Sequence, residues 1–196
     1  MWDERYGQGG FIYGDQPNDF LAEVAGHIPP GPVLALAEGQ GRNAVWLAER
    51  GHAVTAVDLS PVGLAKAQEL AAARGVTLTT IVADLADFDL GVDAWSGITS
   101  IWCHLPSALR ARVHAAVVRA LKPGGVLVLE AYTPAQIAHG TGGPKDPDML
   151  PTADALRAEL IGLDLEILVE RERDVEEGAF HGGRSAVVQC LARRPR

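Results

Sequence analysis

The sequence predicts an α/β fold: a doubly wound, mostly parallel seven-stranded sheet with a C-terminal antiparallel hairpin. Three observations carry that expectation. Short apolar runs alternate with segments of helical periodicity from about residue 33 to residue 131, as when parallel strands are covered on both faces by crossover helices. The first run, residues 33–37, breaks into Gly39-x-Gly41 where a helical pattern begins, and two glycines there permit a tight turn and a close backbone approach. Near the end, Leu163, Leu165, Ile167 and Val169 alternate with Asp164, Glu166 and Glu170, the period of a half-exposed antiparallel strand.

At the N-terminus, residues 1–20 hold Trp2, Tyr6, Phe11, Tyr13 and Phe20, five of the 11 aromatics, interspersed with Gly7, Gly9, Gly10 and Gly14. This reads as no regular element. The rings either tie a loose terminus to the core or form a flap over a ligand. Asn18 caps a helix running to about Ile28 and burying Phe20, Leu21, Val24 and Ala25, and Pro29-Pro30-Gly31-Pro32 ends it. The first strand follows, then a helix from Arg42 to Gly51, then a second strand over residues 52–58. Ser60-Pro61 supplies an N-cap and a first-turn proline for a helix that stops at Gly75.

A third strand spans residues 78–82 and a fourth residues 98–103. Pro106 opens a helix with Leu109, Val113, Val117 and Leu121 at helical spacing, and Pro123-Gly124-Gly125 breaks it before a fifth strand over residues 126–131. Residues 133–152 contain three glycines and four prolines. So long a connection suggests a lid-like loop, the alternative being a rigid surface loop stiffened by its prolines. A turn at residues 174–178 joins the half-exposed strand to a last one over residues 185–192. No repeat or second domain is evident, so residues 1–196 are expected to form one domain, with 1–30 as an N-terminal flap and helix.

Composition narrows the function. The formal net charge is −8, without a basic block, which argues against a dedicated nucleic-acid or anionic-membrane surface. Cys103 and Cys190 have no Cys-x-x-Cys spacing, so neither a metal site nor a disulfide framework is expected. With no signal pattern and no long apolar run, a cytoplasmic location with no membrane contact follows. Asp58, at the tip of the second strand and 17 residues after Gly41, is placed to bind a ribose diol. The residues therefore point to a nucleoside-bearing cofactor across the carboxyl edge of the sheet.

The set of motifs resembles a class I S-adenosylmethionine-dependent methyltransferase with a Rossmann-like fold, closest to the small bacterial tellurite-resistance-like methyltransferases. The matching pieces are Tyr13-Gly14 with Pro17-Asn18-Asp19-Phe20-Leu21, and Ala37-Glu38-Gly39-Gln40-Gly41-Arg42-Asn43-Ala44. They continue with Val57-Asp58, Ala83-Asp84-Leu85, Cys103-His104-Leu105-Pro106 and Leu121-Lys122-Pro123-Gly124-Gly125. The resemblance implies S-adenosylmethionine as cofactor, with S-adenosylhomocysteine as product. It implies a cofactor site formed by Glu38, Gly39, Gly41, Arg42, Asn43, Asp58, Leu59, Asp84, Leu85 and Cys103. Asp58 would hold the ribose, Asp84 and the Leu85 N–H the adenine, and Cys103 and His104 would line the methyl-transfer face. The family often has an acid where this chain has Ala35 and a glycine where it has Ala37. Glu38 then supplies the carboxylate toward the cofactor's amino group.

Tyr13, His104 and His181 are the candidates for the acceptor side, and no catalytic acid or base is assigned. Arg42 either shapes the glycine turn or touches ligand, and His181 is either a substrate contact or a flexible turn residue. The expected partner is a small methyl acceptor, a thiol or a metalloid oxyanion such as tellurite, for a monomer or homodimer. Two rivals stand beside this reading: a nicotinamide-dependent oxidoreductase using the same glycine turn, and a non-catalytic cofactor sensor.

Overall fold

The computed structural model describes residues 2–178 and 181–196. The sheet is built on a parallel block. Strands β1 (Pro32–Leu36), β2 (Ala53–Asp58), β3 (Thr79–Val82), β4 (Trp95–Ile101) and β5 (Leu121–Tyr132) pair in parallel, and β6 (Asp164–Glu177) and β7 (His181–Arg193) add an antiparallel edge. The order is β3-β2-β1-β4-β5-β7-β6, seven strands as the sequence predicts.

Both faces are covered because successive strand residues point opposite ways. Val33 and Ala35 pack with α2 (Asp19–Val24), α3 (Arg42–Ala48) and α4 (Pro61–Ala73), while Leu34 and Leu36 pack with α5 (Ser107–Ala120) and α7 (Ala153–Glu159). Local signals start the helices. The Asn18 side chain accepts from Leu21 N at 3.0 Å, and Ser60 Oγ accepts from Gly63 N at 3.0 Å, with Pro61 in the first turn. No helix among the described residues is long and apolar enough to cross a membrane.

Four boundaries differ from the sequence reading. The N-terminus is regular: α1 (Trp2–Tyr6) docks on α4, with Tyr6 buried and the Asp3 carboxylate bound to the Ser60 hydroxyl. The fourth strand stops at Ile101 instead of Cys103, because Trp102 turns to φ 56°. The fifth begins at Leu121, so Leu121 and Pro123-Gly124-Gly125 belong to a strand, with the register slipping between Trp95 and Gly97. Residues 174–177, expected as a turn, continue β6 against β7, from Asp174 opposite Arg184 to Glu177 opposite His181. Ala179 and Phe180, within the turn proposed around His181, lie outside the described residues. The 133–152 segment holds a short helix, α6 (Gln136–His139), and a 3-10 turn at Pro147–Met149.

The glycine turn is tighter than a ligand approach alone requires. Gly41 has φ 88°, and a Cβ there would stand 2.5 Å from Ala67 Cβ, so its missing side chain lets α4 pack against the turn. Gly51 has the same φ but open space around it. Gly51→Ala is therefore expected to cost only backbone strain, about 1 kcal/mol. Gly41→Ala should cost about 1–3 kcal/mol more through overpacking. Urea unfolding of the two variants checks this, and equal losses would contradict the packing account.

Candidate functional site

Parallel strands bring their carboxyl ends to one edge, and a crevice of about 400 Å³ opens there. Its floor comes from the residues just after four strands: Ala37 and Glu38 after β1, Asp58 and Leu59 at β2, Ala83 to Leu85 after β3, and Trp102 to Leu105 after β4. Tyr6, Tyr13 and Gly14 from the N-terminal segment and Gly142, Gly143, Pro144 and Met149 from the 133–152 segment also line it.

Each acid at this edge also has work in the fold. Asp58 Oδ2 accepts from Gly39 N at 2.8 Å and Oδ1 from Ser60 N at 2.8 Å, which ties β2 to the glycine turn. Burial raises its pKa against those bonds. Glu38 Oε1 accepts from Asn43 N at 3.0 Å and Ala44 N at 2.8 Å. It thus supplies the cap that Gly41, with no side chain, cannot give α3. Burial pushes the Glu38 carboxyl up to about 7. Asp84, exposed, accepts from Ala86 N at 2.8 Å, and burial pushes the Cys103 thiol up to about 12.

Of the expected site residues, Glu38, Arg42, Asn43, Asp58, Leu59, Asp84, Leu85, Cys103, Tyr13, His104 and His181 all line the crevice. Gly39 and Gly41 do not. The side-chain direction of Gly39 is filled by the Tyr6 ring, whose hydroxyl oxygen would lie 2.5 Å from a Cβ, and that of Gly41 by Ala67.

Arg42 is held by protein. It ion-pairs with Glu177 on β6 and donates to Gln16 O at 3.3 Å, so it braces the turn. Glu177 belongs to a buried network that local sequence patterns did not reveal. Asn18 Nδ2 donates to Glu177 at 2.7 Å and to Glu130 at 2.8 Å; Arg173 Nε donates to Glu130 at 2.7 Å; Trp102 Nε1 donates to Glu177 at 2.5 Å. Arg42 is the largest cause, after the opposing effect of burial, that holds the Glu177 carboxyl below its usual range. The one local clue was the Asn18 cap, whose amide had to go somewhere.

Beside this network stands a cluster of rings. Trp102 lies 4.3 Å from Tyr132 and 5.1 Å from His181, and His181 lies 4.7 Å from Tyr13 (centroid distances). A left-handed φ at a residue as bulky as Trp102 costs about 1–3 kcal/mol and marks a place where the surroundings over-determine the backbone. His104 Nε2 accepts from Tyr132 N at 3.0 Å. Burial, and then His181, push the His104 imidazole down to about 3, while burial pushes His181 down to about 4. Both rings are neutral at pH 7. The 133–152 segment is pinned over this region: Gln136 Oε1 accepts from Ala186 N at 2.8 Å, and Asp148 accepts from Ser107 N at 3.0 Å.

The histidines set the acid response. A histidine whose folded pKa is depressed contributes stability above its unfolded pKa and loses it as the pH falls. Here the loss runs from 6.5 towards about 4 for His181 and about 3 for His104. Glu38, raised from 4.5 to about 7, works the other way and favours the folded state at the acid end of that interval. Across this range His181→Phe is expected to flatten the loss of unfolding free energy, read by urea titration at successive pH values. An unchanged slope would show that His181 titrates normally.

Comparison with known proteins gives the site its context. Residues 33–125 match the family model described as a methyltransferase domain. A 2-heptyl-1-hydroxyquinolin-4(1H)-one methyltransferase of Mycobacteroides abscessus is 32% identical over 118 residues, 58% of this chain and 52% of that protein. The chain thus spans about half the length of this curated relative. Among solved structures, one from work on conversion of a disulfide bond into a thioacetal group during echinomycin biosynthesis matches with TM-score 0.77 and 23% identity, covering 97% of this chain and 86% of that one. TehB from Haemophilus influenzae matches with TM-score 0.73 and 16% identity, covering 98% and 65%. Residues 33–125 match the methyltransferase-domain model, and with the strands and helices around them the chain has the fold of the class I S-adenosylmethionine-dependent methyltransferases.

Proposed function

We propose that this protein transfers a methyl group from S-adenosylmethionine to a small molecule, releasing S-adenosylhomocysteine. The observation that carries the reading is the convergence of Asp58, Asp84, Leu85 and Cys103 on one crevice within a methyltransferase domain. Its volume, about 400 Å³, falls in the range of small-molecule sites, roughly 300–1,000 Å³.

In this reading Asp58 binds the ribose hydroxyls with the lone pairs left over from its two backbone bonds. Asp84 and the Leu85 N–H receive the adenine edge, and Glu38 faces the amino group of the methionine part. The cofactor supplies an activated methyl on a sulfonium. The chain has chiefly to align the acceptor and exclude water, a task for the N-terminal flap and the 133–152 segment.

Tyr13, His104 and His181 stand on the acceptor side. Imidazoles with pKa values of about 3 and about 4 are weak bases at neutral pH. The acceptor therefore brings a soft or already ionised nucleophile: a thiolate, an ionised hydroxyl, or a metalloid oxyanion such as tellurite. Methylation of a hydroxyquinolinone by the Mycobacteroides abscessus relative supports the ionised-hydroxyl member of this set. The net charge of −8 supports a small acceptor over nucleic acid, and a cytoplasmic monomer or homodimer completes the proposal.

Calorimetric titration with S-adenosylhomocysteine and with NADH tests the cofactor. The expected result is binding of the sulfur nucleoside alone, weakened by about 1–3 kcal/mol in Asp58→Ala, the worth of hydrogen bonds to a charged group. A melting curve must accompany the variant, since Asp58 also anchors the turn. NADH binding without a response to S-adenosylhomocysteine would favour the oxidoreductase, and unchanged affinity in a folded variant would overturn the ribose assignment. Binding with no methyl transfer to any thiol, hydroxyl or oxyanion acceptor would favour the sensor.

A further inference from the structure

Trp102 is built into the site with more care than packing requires. It follows β4 directly, in left-handed backbone conformation, with its N–H on Glu130 O at 2.9 Å and its indole N–H on Glu177 at 2.5 Å. Tyr132 lies against the indole at an interplanar angle of 30°, and His181 meets it edge-on at 74°. The ring is nevertheless half-buried only and lines the crevice next to Cys103. Its clamp, Glu177, is itself fixed by Arg42 and Asn18. A side chain needed only to fill space would require neither a strained backbone nor a hydrogen bond to a buried carboxylate. Leu105, Pro144 and Met149 give the same crevice an apolar lining, which suits a flat apolar body better than a small hydrated oxyanion.

We propose that Trp102 is the platform on which a planar aromatic methyl acceptor stacks, and that Glu177 is the positioning residue that sets the plane of the indole. This rests on the methyltransferase reading and names its substrate class: an aromatic ring system bearing a thiolate or ionised hydroxyl. The acceptor's lone pair forms the new bond to the methyl carbon, and the electrons of the broken carbon–sulfur bond stay on the sulfur of S-adenosylhomocysteine. No proton moves, in keeping with neutral His104 and His181.

The test uses the full chain with S-adenosylmethionine and two probes, 2-naphthalenethiol and 2-mercaptoethanol, after S-adenosylhomocysteine binding to the wild type has been measured. Trp102→Leu is expected to raise the KM for 2-naphthalenethiol about three- to tenfold, the worth of one aromatic pair. The KM for 2-mercaptoethanol should rise by less than that for 2-naphthalenethiol, so that the preference for the aromatic thiol falls. Trp102→Phe, which keeps a ring and guards against a folding failure, should retain most of the preference. Glu177→Gln should shift the KM for the aromatic thiol in the same direction as Trp102→Leu. Equal effects on both thiols, or none on the aromatic one, would overturn the proposal. A wild type that binds S-adenosylhomocysteine but methylates 2-naphthalenethiol no better than 2-mercaptoethanol overturns it alone. A wild type that ignores S-adenosylhomocysteine refutes the methyltransferase reading and this proposal with it.

Discussion

Arg42 and Glu177 are charged where water hardly reaches, and much of the molecule is arranged to make that tolerable. Taking ions out of water is expensive, and a buried pair persists only when its remaining hydrogen-bonding capacity is met. Asn18, Trp102 and Arg173 meet it for Glu177, and Glu130 completes the network from β5. Removing one partner of such a pair typically costs about 3–5 kcal/mol. The network joins the segment leading into α2, the start of α3, the residue after β4, and β5 and β6. It holds the ring-lined edge of the crevice against the edge made by the strand tips.

The two edges differ in chemistry for a physical reason. The proposed cofactor edge is made by parallel strand tips, where carboxylates find backbone N–H groups: Asp58 those of Gly39 and Ser60, Glu38 those of Asn43 and Ala44. The proposed acceptor edge is made where the antiparallel pair β6–β7 meets β5, and there rings gather: Tyr132, His181, and Trp102 from just after β4. Burial keeps His104 and His181 neutral at pH 7, and Trp102 faces the crevice beside them. A polar cradle thus stands beside an aromatic wall, a division suited to a nucleoside on one side and a flat nucleophile on the other.

Much of this was legible in the sequence because its signals are local. A cap at Asn18, Ser60 followed by Pro61, two glycines after an apolar run and an acid at the next strand tip each act within a few residues. Parallel pairing then brings the strand tips together without further instruction. What escaped the sequence depended on distance. Glu130 and Glu177 lie 112 and 159 residues from Asn18, and no periodicity joins them. The short α1 forms because Tyr6 packs over Gly39 and Gly63, a tertiary cause. The outer part of β6 read as a turn because it is charged and pairs only with β7. Helix α7 did carry a signal, Thr152 accepting from Ala155 N at 3.1 Å, but it sat inside a stretch whose prolines and glycines read as loop. The side-chain space that the two glycines leave is taken by Tyr6 and Ala67, a tertiary contact that no local pattern shows.

The central claim is spatial, and a crystal structure of the protein with S-adenosylhomocysteine tests it most directly. The account predicts the ribose on Asp58, the adenine edge at Asp84 and Leu85, the sulfur directed towards Cys103, and the Trp102 face open beside it with Glu177 still bound to the indole. Electron density placing the nucleoside elsewhere, or a Trp102 indole swung away from Glu177 across the methyl-transfer path, would contradict it.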